Sequence, residues 1–330
     1  MPVHSPLSAR ADPAAGAERK NLILVTHPGR QDWRDFEAIG QEIARLAPDI
    51  FGYIVSGNDT AESIPREDWR RRSLIVSFGS LANFKPPRGR IFRPAWISKY
   101  DEYLLFAAAE VRTPFTSVFR LGRAFDFSKH KPLVVAKPTK MGSMSHGDQV
   151  VLLRRERVQE VVPARFPPEL TSDAAPIIIQ DFVDPGPMAR IFRVLVLFGE
   201  ALFCYRVTAE APRPNLDAAD AELESGRVAS NAPGRMIEFV ADAEVIEFAK
   251  AASRAIWWIP LLGLDLIRES GTGALYVLES NPGGNTWVFS SQMGIETRGL
   301  AGGAEGFKKQ FGAWNIAAKA LIRATHAFAE

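Results

Sequence analysis

Gly263–Asn285 reads GLDLIRESGTGALYVLESNPGGN, and the rest of the chain is organised around it. An apolar run at Leu264–Ile267 leads into a turn at Ser270–Gly273, and a second run follows over Ala274–Ser280. Ser270, Gly271 and Gly273 suit a tight reversal, so the stretch is predicted to be a β-hairpin. Each strand carries an acid, Asp265 in the first and Glu279 near the end of the second. Glu279 and Asn281 are two residues apart, and an extended backbone points both side chains to one face. Strand pairing can bring Asp265 beside them. Three hard oxygen ligands in one small volume suit Mg²⁺, which usually sits between one or two carboxylates and substrate phosphates. By itself the segment fits an exposed strand end with a helix-capping Asn equally well, and the stretches upstream decide between the two.

Moving outward, Arg190–Val207 (RIFRVLVLFGEALFCYRV) reads as two strands around a Gly199–Glu200 turn, with Arg193 and Arg206 near the open end. Two such arginines can hold phosphate or carboxylate bidentately, although a pair of exposed strand arginines is the simpler local reading. Pro176–Gly186 (PIIIQDFVDPG) is a buried strand running into Gln180, followed by Val183 and the breaker Pro185–Gly186. Backbone leaving such a strand can read an adenine edge, with Phe182 or Val183 beside the base. Pro132–Leu153 (PLVVAKPTKMGSMSHGDQVVLL) is a strand ending at Lys137, a loop holding Gly142, Ser143, Ser145, His146 and Gly147, and a second strand from Gln149. It lacks the strand–loop–helix context and GxxxxGK[ST] pattern of a Walker A site. Backbone N–H groups of a Gly/Ser loop can still cradle phosphates. Lys137 lies inside VVAK, where a buried cation is costly unless it meets an anion, so it is the preferred phosphate ligand. In Ser98–Thr116 (SKYDEYLLFAAAEVRTPFT), Ser98 can cap a helix to about Glu110 that carries Lys99 in its first turn. Locally, a solvated surface lysine explains Lys99 better.

Further out, Asn21–Thr26, Phe51–Val55, Leu74–Phe78 and Ile91–Pro94 read as strands, with a helix from about Asp32 to Leu46. That alternation argues a small parallel α/β domain, whose ligands gather at the carboxyl ends of its strands. His27 and Arg30 lie at such an end, where contact with substrate and a surface-loop role are both open. Glu210–Arg235 is polar and without period and is predicted to be a mobile loop over the site. Ala241–Trp258 and Glu305–Phe328 return to helical spacing. The 330 residues are 46% hydrophobic, and their formal charge of +2 leaves no footprint for nucleic acid or an anionic membrane. No apolar run approaches the roughly 18 residues of a membrane span. The first twenty residues lack the apolar core of a secretory signal and read as a disordered tail. The single cysteine, Cys204, rules out an internal disulfide, and the chain reads as cytoplasmic.

Taken in chain order, from Ser98–Thr116 to Gly263–Asn285, the five stretches resemble the ATP-grasp superfamily over roughly Ile97–Asn285. The lysine strand and lid are similar to D-alanine–D-alanine ligases; the hinge and two-arginine hairpin are similar to ribosomal-protein-glutamate ligases and glutathione synthetases. The resemblance implies an α/β fold of two α+β lobes: a pre-ATP-grasp domain over 20–112, an N-lobe with a glycine-rich lid over 113–183, and a C-lobe over 184–330. It implies that Lys99, Lys137, Gly142 and Ser143 contact ATP phosphates, and that Gln180 and the Asp181–Val183 backbone hold adenine. Asp265, Glu279 and Asn281 would bind two Mg²⁺ ions, with Mn²⁺ as the alternative, while Arg193 and Arg206 would act on the γ-phosphate or acyl phosphate. Departures are visible. Ile191–Phe192 stand where a charged residue is usual, Asp184 is the nearest candidate for the ribose acid, and Arg227 and Asn231 match an Arg-x-Asn pattern only loosely. Pro282–Gly283–Gly284 replaces a Ser and Pro-Gly where acceptors bind.

The implied activity is an ATP-dependent ligase joining a small-molecule or peptide carboxylate to an amine through an acyl phosphate. Arg30, Arg227, Asn231, Gly283 and Gly284 are the substrate candidates, and the backbone N–H groups of Gly283 and Gly284, with Arg206 opposite, could face the oxyanion. A small-molecule kinase and a non-catalytic nucleotide-binding regulator are the alternatives, the second disfavoured by a complete set of metal ligands. Substrate identity and a homo-oligomeric state stay open.

Overall fold

The computed structural model describes residues 18–139, 149–166, 176–229 and 234–330. The expected lid residues Gly142 and Ser143, and Asn231, lie outside these. Three sheets organise the chain. The first is parallel, in the order β2-β1-β3-β4, built from β1 (Lys20–Thr26), β2 (Ile50–Ser56), β3 (Arg72–Ser77) and the short β4 (Arg90–Phe92). Its central strand is an unbroken apolar run because both faces are covered. Helix α1 (Trp33–Leu46) starts where the Asp32 side chain accepts the Arg34 N–H at 3.0 Å, and it buries Phe36, Ile39 and Ile43 on this sheet.

Helix α2 (Lys99–Ala108) is capped by Ser98, which accepts the Asp101 N–H at 3.1 Å. The second sheet follows, antiparallel in the order β5-β8-β6-β7, from β5 (Thr116–Phe119), β6 (Leu133–Pro138), β7 (Val151–Arg154) and β8 (Ile177–Asp181). Helix α3 (Val158–Arg165) packs Val158 and Val162 into its core. The third sheet has the order β11-β10-β9-β12-β13. Its long hairpin is β9 (Met188–Leu197) and β10 (Glu200–Pro212), reversed at Gly199 with φ 82°. Strand β11 is Arg235–Phe239, and the Gly263–Asn285 stretch supplies β12 (Leu261–Arg268) and β13 (Leu275–Pro282).

Two expectations change. Glu210–Arg235 is not a structureless loop: β10 continues to Pro212, and a helix, α4 (Asp220–Ser225), follows. Its one buried apolar side chain, Leu223, is too little to give a period, and ion pairs fix the rest. Asp220 receives Arg154 Nε of β7 at 3.0 Å, and Glu224 receives Arg157 Nε at 3.0 Å, so α4 ties the third sheet's connection to the second. After α5 (Ala243–Arg254) and α6 (Ile295–Leu300), the closing helix is split at Gly312, whose φ of 73° cannot continue an α-helix. It becomes α7 (Ala304–Lys309) and α8 (Ala313–Phe328). The small buried face of α8 (Ala313, Ala317, Ala320, Ala324) lets it lie close against α1 and the first sheet, where Ser73 N–H donates to Glu330 O at 2.9 Å. One continuous core thus joins the first sheet, α8 and the face of the third sheet around Leu195 and Phe203.

Candidate functional site

A cleft of roughly 880 Å³, its open mouth included, is lined by both antiparallel sheets and α2. On the third sheet the register sets a row of side chains across four strands. Tyr205 of β10 stands opposite Arg193 of β9, Arg193 opposite Asp265 of β12, and Asp265 opposite Glu279 of β13. Arg193 grips Asp265 with both ends of its guanidinium, Nε at 2.6 Å and Nη2 closer still. Asn281 lies one pair further along the same face and donates Nδ2 to Asp265 at 3.3 Å and to Gly263 O at 3.2 Å, which leaves its amide oxygen for a cation. Lys99, at the first position of α2, closes the row with a 2.9 Å ion pair to Glu279.

Charge balance tunes these groups. Burial tends to raise the Glu279 carboxyl, but Lys99 and Lys137 outweigh it and hold it at about 2. Burial also opposes charge on Lys99, yet Glu279 beside it lifts the ammonium above its ordinary value. Lys137 of β6 is 8% exposed and lowered to about 8, first by burial and then by Lys99. Among the described residues it has no ion-pair partner within 4.0 Å, although it lines the cleft. An unpaired buried ammonium opening onto a cavity is a seat for an anion. Asp265, Glu279 and Asn281 together offer the hard oxygen donors that a Mg²⁺ ion takes. Among the described residues no three His, Cys, Asp or Glu side chains gather as a metal cage, so any ion here would complete its shell with water or ligand oxygen.

Gln180, Asp181, Phe182 and Val183 line the opposite wall with Val135 and Val150. Gln180 Nε2 donates to Thr116 Oγ1 at 3.0 Å, and Asp181 Oδ1 accepts from His130 Nδ1 at 2.8 Å. The Asp181 and Phe182 N–H groups donate to Phe115 O at 2.9 Å and Leu133 O at 3.0 Å. Other candidates fall elsewhere. Arg206 is opposite Phe192, on the reverse face from Arg193, and pairs with Glu238 at 2.6 Å. Asp184 accepts Arg213 Nη2 at 2.8 Å and Gly186 N–H at 2.9 Å instead of lining the cleft. Arg227 is exposed; its neighbours Val228 and Ala229 line the cleft in its place. Arg30 stays exposed at the carboxyl end of β1. Gly283 and Gly284 cannot serve as oxyanion donors, because Gly283 N–H donates to Leu261 O at 3.0 Å and Gly284 N–H to Phe78 O at 2.6 Å. Both are needed instead to dock this segment on the first sheet.

One group escaped the sequence reading. Glu102 lies one turn after Lys99 on α2, is 5% exposed, and accepts the Ser280 N–H at 2.7 Å and the Ser280 hydroxyl. Burial, with the charge of Glu279 adding to it, pushes its carboxyl up to about 8 against the Ser280 hydrogen bonds. An acid three residues after a lysine on one helix face was the available signal.

No family model and no curated protein matches the chain. Solved structures do. The ATP-grasp ligase PsnB complexed with minimal precursor, Mg and ADP aligns with TM-score 0.51 and 13% identity, over 92% of this chain and 98% of that one. The D-cycloserine synthetase DcsG aligns with TM-score 0.49 and 17% identity, over 91% and 98%. A D-alanine–D-alanine ligase from Bacillus anthracis complexed with ATP aligns with TM-score 0.45 and 11% identity, over 94% and 99%.

Proposed function

We propose that this chain, which has the ATP-grasp fold, is an ATP-dependent ligase that joins a carboxylate to an amine and releases ADP and phosphate. The observation that carries the proposal is the row Arg193–Asp265–Glu279, closed by Lys99, of which Asp265, Glu279 and Lys99 line one cleft with the unpaired Lys137. Adenine would lie along the end of β8 beside Phe182 and Val183, with Lys137 and Lys99 on the phosphates. Asp265, Glu279 and Asn281 would hold one or two Mg²⁺ ions, which supply charge neutralisation on the phosphate oxygens. A carboxylate oxygen of the first substrate attacks the γ-phosphorus and ADP leaves, giving an acyl phosphate. The amine then attacks the acyl carbon, loses its proton, and phosphate departs. Lys137 and Arg193 contribute positioned charge rather than proton transfer, as expected where phosphoryl transfer is driven by electrostatics and alignment.

A phosphotransferase would use the same nucleotide seat, and with the Gly283 and Gly284 N–H groups occupied the product must decide. The test supplies ATP, Mg²⁺, a panel of amino acids and short peptides, and hydroxylamine in place of the amine. A ligase gives a hydroxamate with ADP and free phosphate together. A stable phosphorylated product, with ADP but no free phosphate, would establish the kinase in its stead.

A further inference from the structure

We infer that Glu102 is a positioning residue that clamps the edge of β13 so that Glu279 and Asn281 are presented together to the cleft. The inference rests on the nucleotide-site reading above and adds a residue to it. Strand β13 is the edge of the third sheet, so every second N–H along it faces away from β12 and lacks a ladder partner. Ser280, between Glu279 and Asn281, has such an N–H. Glu102 accepts it at 2.7 Å, and accepts the Ser280 hydroxyl as well. One turn earlier on the same helix, Lys99 holds the Glu279 side chain at 2.9 Å. Helix α2 therefore grips the two metal-ligand positions twice, once through a side chain and once through the backbone between them. The second grip is the one that persists if Lys99 turns to a phosphate.

A carboxylate is an expensive way to cover one edge N–H. Glu102 is buried close to Glu279, and no cation among the described residues pairs with it. Helix α2 is already anchored by Phe106 in the apolar core beneath the sheet. What the carboxylate adds is a fixed rotation of the Glu279–Ser280–Asn281 backbone. Groups that orient a ligand from behind typically change metal affinity by about 10–100-fold when removed.

The test measures Mn²⁺ binding to the protein–ADP complex by electron paramagnetic resonance, and metal-free ADP affinity in EDTA by calorimetry. Glu102→Ala should weaken Mn²⁺ binding by about tenfold or more while metal-free ADP affinity holds within about threefold. Glu102→Gln, which keeps an acceptor for Ser280, should restore Mn²⁺ affinity to near the parent's. Glu102→Asp, too short to reach, should behave like Ala and serves if Ala does not fold. Parent-like Mn²⁺ affinity in the Ala or Asp variant overturns the inference, as does a loss that Gln fails to restore. A parent protein that binds ADP neither with nor without Mn²⁺ overturns the nucleotide-site reading itself, and this inference with it.

Discussion

Replacing Lys137 by Met should make the unliganded protein more stable and the nucleotide complex weaker. The ammonium is buried with no counter-ion within ion-pair distance, and its ordinary value of 10.5 falls to about 8. At roughly 1.4 kcal/mol per unit, that drop makes the charge cost the folded state about 3 kcal/mol. The attraction of Glu279 and Glu102 is already contained in it. Met is of similar length, flexible and uncharged, so it removes the cost without opening a cavity. The sign with pH follows from proton counting. Between about 8 and 10.5 the unfolded chain holds the proton and the folded chain does not, so the parent gains stability as pH rises across that window. Below about 8 the penalty is complete; above 10.5 it is gone. In urea denaturation the Met variant should therefore exceed the parent by up to about 3 kcal/mol at pH 7, and the gap should close toward pH 10.5. ATP should bind the variant about 10- to 150-fold more weakly, the worth of one charged hydrogen bond. A variant less stable than the parent at pH 7, or a gap indifferent to pH, would refute the desolvated-cation account. Unchanged ATP affinity by calorimetry would remove Lys137 from the phosphates.

Glu279→Gln should abolish turnover with unchanged circular dichroism, since it removes the carboxylate at the end of the row; undiminished turnover would end the metal-ligand assignment. Arg193→Met should cost about 3–5 kcal/mol in denaturant, because Asp265 is left buried and unpaired. Arg206→Met, losing only an exposed pair with Glu238, should cost less than about 1 kcal/mol and leave the rate within about threefold; a large rate loss would return Arg206 to the site. Gly284→Ala should destabilise by about 1–3 kcal/mol, since its Cβ would press on the Gln31 amide and lie 2.8 Å from Phe78 O. Gly299→Ala, with open space around its Cβ, is the control and should not destabilise.

Much of the fold was legible because its elements carry strong local signals. NLILVT and LIVSF are buried runs between turns, and Ser98 and Asp32 are caps placed before periodic segments. Gly199 marks its hairpin by a positive φ that the sequence announces. What stayed illegible lacks a period or depends on distant partners. Six-residue α4 is held by arginines about 65 residues upstream, and the break at Gly312 is a single backbone torsion inside a pattern that otherwise reads as one helix. The N–H groups of Gly283 and Gly284 looked available because nothing local claims them; their acceptors, Leu261 O and Phe78 O, come from another strand and another sheet.

The site shows the same limit more sharply, because two β-bulges decide which faces meet. The β9–β10 hairpin leaves its turn with Glu200 opposite Leu197, and a register shift between Ala201 and Phe203 then inserts Leu202. Without that extra residue Arg193 would stand opposite Cys204, and Arg206, two residues on, would share its face. With it, Arg193 meets Tyr205 and Arg206 turns to the other side. In the β12–β13 hairpin a shift between Asp265 and Leu266 leaves Leu278 as the extra residue, with the opposite outcome. Carried unbroken from Leu266 opposite Val277, the pairing would set Asp265 against Leu278 and send Glu279 and Asn281 to the reverse face. The bulge instead puts Glu279 directly across from Asp265. A slip of one residue moves every later side chain to the other face of a sheet. The chemistry of this cleft is therefore fixed by Leu202 and Leu278, two apolar residues, one inserted in each hairpin, the second of which also lines the cleft.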